Sequence, residues 1–233
     1  MRLNRSRAAR RISLSVSRID GRARVTAPLA CPVAEIQAFL ESHADWLSAA
    51  VARAPDSIPI EPGLLLPFKD GGLRLEHDVA RRGVRFLDAL EEPRLLIGGP
   101  AAGVGRRARA WLREAARAEL SERSRVHADA LGLRFSRIAV KDTRSRWGSC
   151  TSDGALSYSW RLILAPSAVL DYVAAHEVAH LREMNHSARF WALVERLSPE
   201  WRRHRDWLKR RGAGLHRYVV TAPEGSDRVA ESA

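Results

Sequence analysis

The apolar residues of the first fifty positions alternate with polar ones and then change to a helical spacing. Between Arg11 and Pro28 the alternation runs around Asp20-Gly21, a dipeptide that suits the tight turn of a β-hairpin. From Pro32 to Arg53 the apolar residues recur every three or four positions, as on the buried face of an amphipathic helix. The pattern predicts two antiparallel strands followed by one helix or a helix pair.

Proline and glycine interrupt the next part of the chain and then disappear from it. Between Ile58 and Gly99 they leave only short apolar runs such as Leu64–Leu66, which indicates several short strands. From Gly105 to Leu131 the spacing is helical, and Gly132 follows as a residue that commonly ends a helix. We therefore expect one long helix after a β-rich segment.

The segment after Gly132 returns to β patterns. We expect a strand from Leu133 to Val140, a loop or edge strand from Lys141 to Cys150, and an alternating strand from Ala155 to Leu164. The last strand would place large apolar residues on one face and polar residues on the other: Leu156, Tyr158, Trp160, Leu162 and Leu164 against Ser157, Ser159 and Arg161.

The motif His176-Glu177-Val178-Ala179-His180 follows a helical segment that begins at Pro166, a residue favoured in the first turn of a helix. Histidines four residues apart lie one turn apart on the same face, so both imidazoles can reach a single metal ion. Glu177 lies beside them. This HExxH pattern is typical of zinc-dependent hydrolases in which the glutamate activates water.

A catalytic zinc site takes three protein ligands and leaves a fourth position for water, and His186 is the candidate third ligand. A straight helix would rotate residue 186 about 240° away from His180, so the chain must leave the helix. Asn185 tolerates the left-handed conformation, and the exit is predicted at Met184-Asn185. We expect Zn²⁺ on His176, His180 and His186, with Glu177 as the general base.

Five sequence segments together resemble the YgjP-like metallopeptidase family, which is related to the SprT and WLM zinc peptidases. They are Arg144–Cys150 (RSRWGSC), Trp160–Pro166 (WRLILAP), the HEVAH motif, Asn185-His186-Ser187 and Phe190-Trp191. The resemblance implies zinc at the three motif histidines and a catalytic carboxylate at Glu177. Compared with the metzincin pattern HExxHxxGxxH, Glu183 stands at the glycine position.

The predicted fold is α+β, with a zincin-like core of an HExxH helix and a small sheet behind an N-terminal β-rich region. We place one metallopeptidase domain at residues 11–218. It comprises a β-rich sub-region (11–100) and a catalytic sub-region (101–218). Residues 219–233 are expected to form a flexible tail.

The candidate substrate contacts are Arg144, Arg146, Trp147 and Arg161. An edge strand over Trp147–Cys150 would bind an extended peptide by strand addition, although a structural hairpin fits the same pattern. The arginines would suit a carboxylate or phosphate near the metal, and structural roles explain them equally well.

Several other reactive residue types are predicted to have structural roles. Tyr158 is expected to pack, and Cys150 to be a small buried residue. The run Arg202–Arg211 is expected to be a solvated helix face. The histidines outside the motif lack partners at ligand spacing and are expected at the surface or in the core: His43, His77, His127, His204 and His216.

The composition says more about the protein's cellular location and partners than about its reaction. The net charge is +12, almost all from arginine since the chain has only three lysines, so it reflects either a polyanionic partner or a compositional bias. Two distant cysteines predict a reducing cytoplasm. No apolar segment resembles a signal peptide or a membrane span.

Three functions fit these observations. The leading prediction is a cytoplasmic zinc metallopeptidase acting on a peptide or protein. The alternative uses the same site as a metal-dependent nucleoside triphosphate pyrophosphohydrolase, motivated by the arginines and the positive charge. A nucleic-acid-associated protein with structural zinc is the third, but Glu177 and the lack of a fourth protein ligand argue against it.

Overall fold

The computed structural model describes residues 1–17, 21–52, 56–88 and 91–220. The chain divides into two compact units, Met1–Ile58 and Pro59–Ala233. The strands between residues 59 and 98 thus belong to the unit that also contains the HExxH motif. Asp20 of the predicted hairpin turn lies outside the described residues, as does the predicted tail (219–233) from residue 221 onwards. Val219, the first residue assigned to that tail, instead belongs to a short strand.

The first unit is a small sheet with helices. Its elements are β1 (Arg2–Ser6), β2 (Ser13–Val16), β3 (Ala23–Pro28), α1 (Val33–Ser42) and α2 (Ala44–Ala52). Strand β3 is central in the order β1-β3-β2, parallel to β1 and antiparallel to β2. Val25 and Ala27 of β3 pack with Ile36 in a small core. The antiparallel pair of β2 and β3 and the helix pair confirm the sequence prediction, whereas β1 is an additional strand.

The short strands predicted between Ile58 and Gly99 are confirmed. They are β4 (Ile58–Pro59), β5 (Leu65–Phe68), β6 (Gly71–Asp78), β7 (Val84–Leu87) and β8 (Arg94–Gly98). The last four form a sheet in the order β5-β6-β8-β7, in which β6 and β8 are parallel. Five side chains of this sheet are fully buried in the main core: Leu66, Leu73, Leu75, Leu95 and Ile97.

A single long helix packs into the same core. Helix α3 (Val104–Ala130) buries a stripe spaced by four residues, namely Ala108, Leu112, Ala116 and Leu120, as expected for one face of a helix. Gly132 follows the helix with a φ of 66°, a left-handed conformation that glycine adopts without steric cost. The long helix predicted from the sequence is confirmed.

A second sheet leads towards the motif, but its last strand is shorter than predicted. Its strands are β9 (Arg137–Lys141), β10 (Gly148–Cys150) and β11 (Ala155–Ser159), in the order β10-β11-β9. The strand predicted to reach Leu164 ends at Ser159, and Trp160–Leu164 is a 3-10 helix in which every residue is buried. The predicted division into an apolar and a polar face is therefore wrong beyond Ser159.

Three helices complete the unit. They are α4 (Ser167–Ala179), α5 (Ala188–Leu197) and α6 (Trp201–Arg211), followed by a 3-10 segment at Gly212–Arg217 and β12 (Tyr218–Val219). The N–H of Ile60 donates to the carbonyl of Val219 at 2.8 Å, which ties the end of the unit to its start. Within the described residues, no helix combines the length and apolar character needed to cross a bilayer.

Arg161 explains why the alternating pattern was misleading. Its side chain is only 7% exposed, and its Nε donates to Asp142 at 3.0 Å. Its Nη1 donates to the carbonyls of Leu215 and Tyr218 at 2.9 and 2.8 Å. A buried guanidinium with these partners satisfies its hydrogen-bonding needs inside the protein, so a polar residue here does not mark an exposed face.

Replacing Arg161 with methionine should lower the free energy of unfolding by about 2–4 kcal/mol, because two carbonyls lose their donor. Urea unfolding of the purified variants measures this. Arg137→Met is the matched control: Arg137 is 72% exposed and pairs with Asp153 at 3.7 Å, so its loss should hardly move the midpoint. Equal effects of the two substitutions would contradict the buried role of Arg161.

Candidate metal centre

Helix α4 supplies two of the three predicted ligands. Pro166, with φ −52°, precedes its first residue, as expected for a residue with no N–H to satisfy there. His176 lies in the last turn, and His180 is the residue that caps the end of the helix. Their ring centroids are 5.1 Å apart, so one turn of helix brings both imidazoles to one place.

The chain leaves the helix earlier than the sequence predicted. The N–H groups of Leu181 and Arg182 bond to carbonyls three residues back, a tighter turn than the α-helix allows. The prediction of a left-handed exit at Asn185 is wrong, since Lys69 is the one non-glycine residue with positive φ in the described chain. Because the helix ends at Ala179, the chain can turn back early enough to bring His186 near His176 and His180.

His186 is positioned by the start of the next helix. Ser187 caps α5, and its Oγ accepts a hydrogen bond from the N–H of Phe190 at 3.3 Å. A serine at this position fixes where the helix begins. The residue directly before the cap is His186, so its ring is held at the edge of α5.

The ligand atoms of the three histidines converge. The Nε2 atoms of His176 and His186 lie 3.2 Å apart, and the ligand atoms of all three residues lie within 4.8 Å of one another. Two nitrogens bound to tetrahedral zinc at its usual bond length are roughly 3.3 Å apart. The spacing between His176 and His186 therefore fits a shared zinc ion.

The surroundings of the imidazoles favour the form that binds metal. Nδ1 of His180 lies 3.0 Å from the carbonyl of Glu183, and a donor bond there would leave Nε2 free for an ion. Burial, assisted by the other two histidines, lowers the pKa of His176 to about 3. Burial also lowers the pKa of His180. At His176 and His180 the neutral imidazole, the form that ligates metal, is therefore favoured.

An aromatic wall backs all three rings. The ring centroid of Phe190, which is fully buried, lies 4.9, 4.4 and 4.7 Å from those of His176, His180 and His186. Trp191 stacks on His186 at 5.7 Å. The side chains of Phe190 and Trp191 thus pack against the histidine cluster.

Glu177 is buried next to Gly148 of β10. Its exposed fraction is 5%, and a Cβ atom at position 148 would lie 2.6 Å from its Cγ and 2.7 Å from its Cδ. Only glycine leaves room for the carboxyl at this close approach. Burial raises the pKa of Glu177 to about 8, while the charge of Arg146 acts in the opposite direction.

A pocket of about 340 Å³ opens beside the cluster. His176 and Glu177 line it together with Arg146, Trp147 and Gly148. Two of the four predicted substrate contacts, Arg146 and Trp147, thus reach the site. The strand that carries Gly148 lies at the edge of its sheet.

The other two predicted contacts do not line this pocket. Arg161 is buried and bonded to Asp142 and to backbone carbonyls. Arg144 is also absent from the lining. The structure therefore does not bring Arg144, Arg146 and Arg161 together at the cluster, as the sequence had suggested.

The neighbouring reactive residue types have structural surroundings. Tyr158 is buried, and its hydroxyl lies 2.9 Å from the hydroxyl of Ser124, so the prediction that it packs is confirmed. Cys150 is half-buried rather than buried. Burial, with the charge of Glu177, raises the pKa of its thiol to about 11, which disfavours the nucleophilic thiolate.

The sequence missed the contribution of helix α6. Arg205, Leu208 and Lys209 line the pocket, although the run Arg202–Arg211 was predicted to be a solvated face. A usable signal was present, because Trp201, Arg205 and Leu208 are spaced by four and three residues and therefore share one side of the helix.

Comparison with known proteins gives a family match. The model of the YgjP-like, metallopeptidase domain matches residues 10–211. Among solved structures, the metallopeptidase zymogen of Pyrococcus abyssi abylysin matches with 21% sequence identity and a TM-score of 0.37. That match covers 43% of this chain and 99% of the other. A search of the curated proteins gives no match.

Gly148→Ala should lower the free energy of unfolding by about 1–3 kcal/mol, because the added methyl forces the Glu177 carboxyl or strand β10 to move. Urea unfolding provides the measurement. Gly71→Ala is the control, since Gly71 also lies in a strand but has open space around its Cβ position. An equally small change in both variants would show that Gly148 is not needed for space.

Proposed function

This chain belongs to the YgjP-like metallopeptidase family, and from that premise we propose that it is a zinc-dependent peptidase. We assign the zinc ligands to His176, His180 and His186 and the catalytic carboxylate to Glu177. The observation that carries this proposal is the convergence of three imidazoles beside a buried glutamate. Family membership supports a metal-dependent peptidase in general, and the arrangement of these four residues supports the finer assignment.

The donor set supports zinc in particular. Three imidazole nitrogens suit zinc, whereas calcium and magnesium prefer oxygen ligands. In the described part of the chain, the cluster has three members and no fourth histidine, cysteine or carboxylate. Three protein ligands leave room for a water molecule or substrate, as catalytic zinc sites do, while structural sites close with a fourth.

When bound, zinc would supply Lewis acidity for activating water and polarising the scissile carbonyl. Glu177 would accept the proton of the attacking water as the new C–O bond forms. The same carboxyl then delivers that proton to the amine nitrogen as the C–N bond breaks. Because Glu177 is buried, bulk water has little access to the proton on its carboxyl. Gly148 leaves room for this carboxyl beside the pocket.

Strand β10 offers a binding surface for the peptide backbone. Within the described residues it pairs on one side only, with β11. Gly148 belongs both to this strand and to the pocket lining. A peptide that adds to the edge by main-chain hydrogen bonds would therefore run past Glu177 and His176. This placement of an unpaired strand edge beside His176 and Glu177 supports a peptide substrate.

Glu177→Gln should reduce peptide hydrolysis at least about 100-fold, because the amide cannot accept the proton, while zinc content stays at one ion per chain. Turnover is measured on a reduced and alkylated protein, with zinc content determined on the same samples. Glu195→Gln, a change at a surface residue paired with Arg202, serves as the control. Wild-type rates in Glu177→Gln would remove Glu177 from the mechanism.

His186→Ala should weaken zinc binding more than the roughly 10- to 100-fold typical of losing a group that merely orients a ligand. Competition with a chromophoric chelator reports the affinity directly. His43→Ala is the control. His43 caps the end of α1, where its Nδ1 lies 2.9 Å from the carbonyl of Phe39, and its replacement should leave zinc affinity unchanged. Unaltered affinity in His186→Ala would show that the ion is held elsewhere.

A further inference from the structure

The pocket beside the histidine cluster is lined by three cationic side chains. Arg146 comes from the segment before β10, and Arg205 and Lys209 come from α6. Among the described residues that line the pocket, Glu177 is the only acidic one. The pocket therefore carries more positive than negative charge, even when the proposed catalytic carboxylate of Glu177 is counted as ionised.

In the described part of the chain, neither Arg146 nor Arg205 forms an ion pair with a carboxylate, although the charge of Arg146 acts to lower the pKa of Glu177. By contrast, Arg202 and Arg203 on α6 pair with glutamates at 2.9 and 3.1 Å. Lys209 has a looser partner, Asp206, at 3.7 Å. Unpaired cations in a cleft raise the local concentration of anions and strengthen their binding.

Arg205 is held over the pocket by aromatic rings. Its guanidinium carbon lies 5.3 Å from the ring centroid of Trp191 and 5.9 Å from that of Trp201, within the range of cation–π attraction. Trp191 also stacks on His186. The position of this charge is thus tied to the wall that backs the metal ligands.

The rest of the lining is largely apolar. Trp147, Val173 and Leu208 line the pocket along with the ring of Tyr172. An apolar wall suits the methylene groups of a ligand, while the cations suit a charged end. A volume of about 340 Å³ is sufficient for one amino-acid side chain.

We propose that this pocket binds an acidic side chain of the peptide substrate, at a position next to the scissile bond. The inference rests on the proposed peptidase function and adds a substrate class, peptide segments containing glutamate or aspartate. Arg146, Arg205 and Lys209 bind the carboxylate, and the apolar wall holds its stem. The same chemistry would accept the carboxylate of a substrate's C-terminus, so the test separates these two sources.

The experiment maps cleavage sites of the zinc-loaded full chain in a peptide pool by mass spectrometry. It then measures kcat/KM on matched peptides that differ only in glutamate, glutamine or lysine at the preferred position. Each peptide is made with a free and with an amidated C-terminus. The glutamate peptide should be cleaved at least about tenfold faster than the lysine peptide, with or without amidation.

Charge reversal locates the preference in the pocket. The substitutions Arg205→Glu and, separately, Lys209→Glu should lower the ratio of kcat/KM for the glutamate peptide to that for the lysine peptide about tenfold or more. Because both values come from the same sample, this ratio does not depend on the folded fraction of the variant. Arg203→Glu makes the same change of net charge on the same helix, at a residue that is 80% exposed and outside the pocket lining. It should keep the wild-type ratio.

The other outcomes are distinct. Cleavage without preference for an acidic residue, or an equal drop in Arg203→Glu, would overturn the pocket assignment and leave the peptidase function standing. A preference that disappears on C-terminal amidation would assign the pocket to the chain terminus and overturn the side-chain proposal. Failure of the zinc-loaded protein to cleave any peptide would overturn the proposed function, and this inference with it.

Discussion

The site depends on one constraint: three imidazole nitrogens must meet at a single point although the third lies six residues beyond the second. The α-helix meets this requirement for His176 and His180 and cannot meet it for His186. The chain therefore ends α4 at Ala179, turns tightly, and starts α5 at a serine cap. Phe190, buried against all three rings, then holds the converged arrangement from behind.

A second requirement is room for a buried carboxyl beside the three histidines. Glu177 loses the hydration that normally stabilises its charged form, as its raised pKa indicates. A cation bound at the imidazoles would favour the ionised form again, so ion and carboxylate are expected to depend on each other. Gly148 permits this proximity by having no side chain. The residue that makes space for the carboxyl thus also belongs to the edge strand that we expect to bind the substrate.

The sequence predicted what depends on local periodicity and spacing. The long helix, the short strands, the first-unit hairpin and helix pair, and the placement of three histidines around one point follow from such patterns. It failed where tertiary contacts override local pattern. Arg161 looked exposed because it alternates with apolar residues, yet its charge is satisfied by Asp142 and two distant carbonyls. The role of α6 was also missed, because the arginine-rich run Arg202–Arg211 suggested a solvated helix and obscured the face that Trp201, Arg205 and Leu208 share.

Anomalous diffraction from crystals of the zinc-loaded protein, recorded above and below the zinc absorption edge, would locate the ion. We expect one peak per chain, about 2.0–2.1 Å from a ring nitrogen of each of His176, His180 and His186, with the fourth position free of protein ligands. A peak away from these residues, or a zinc ion closed by a fourth protein side chain, would contradict this assignment.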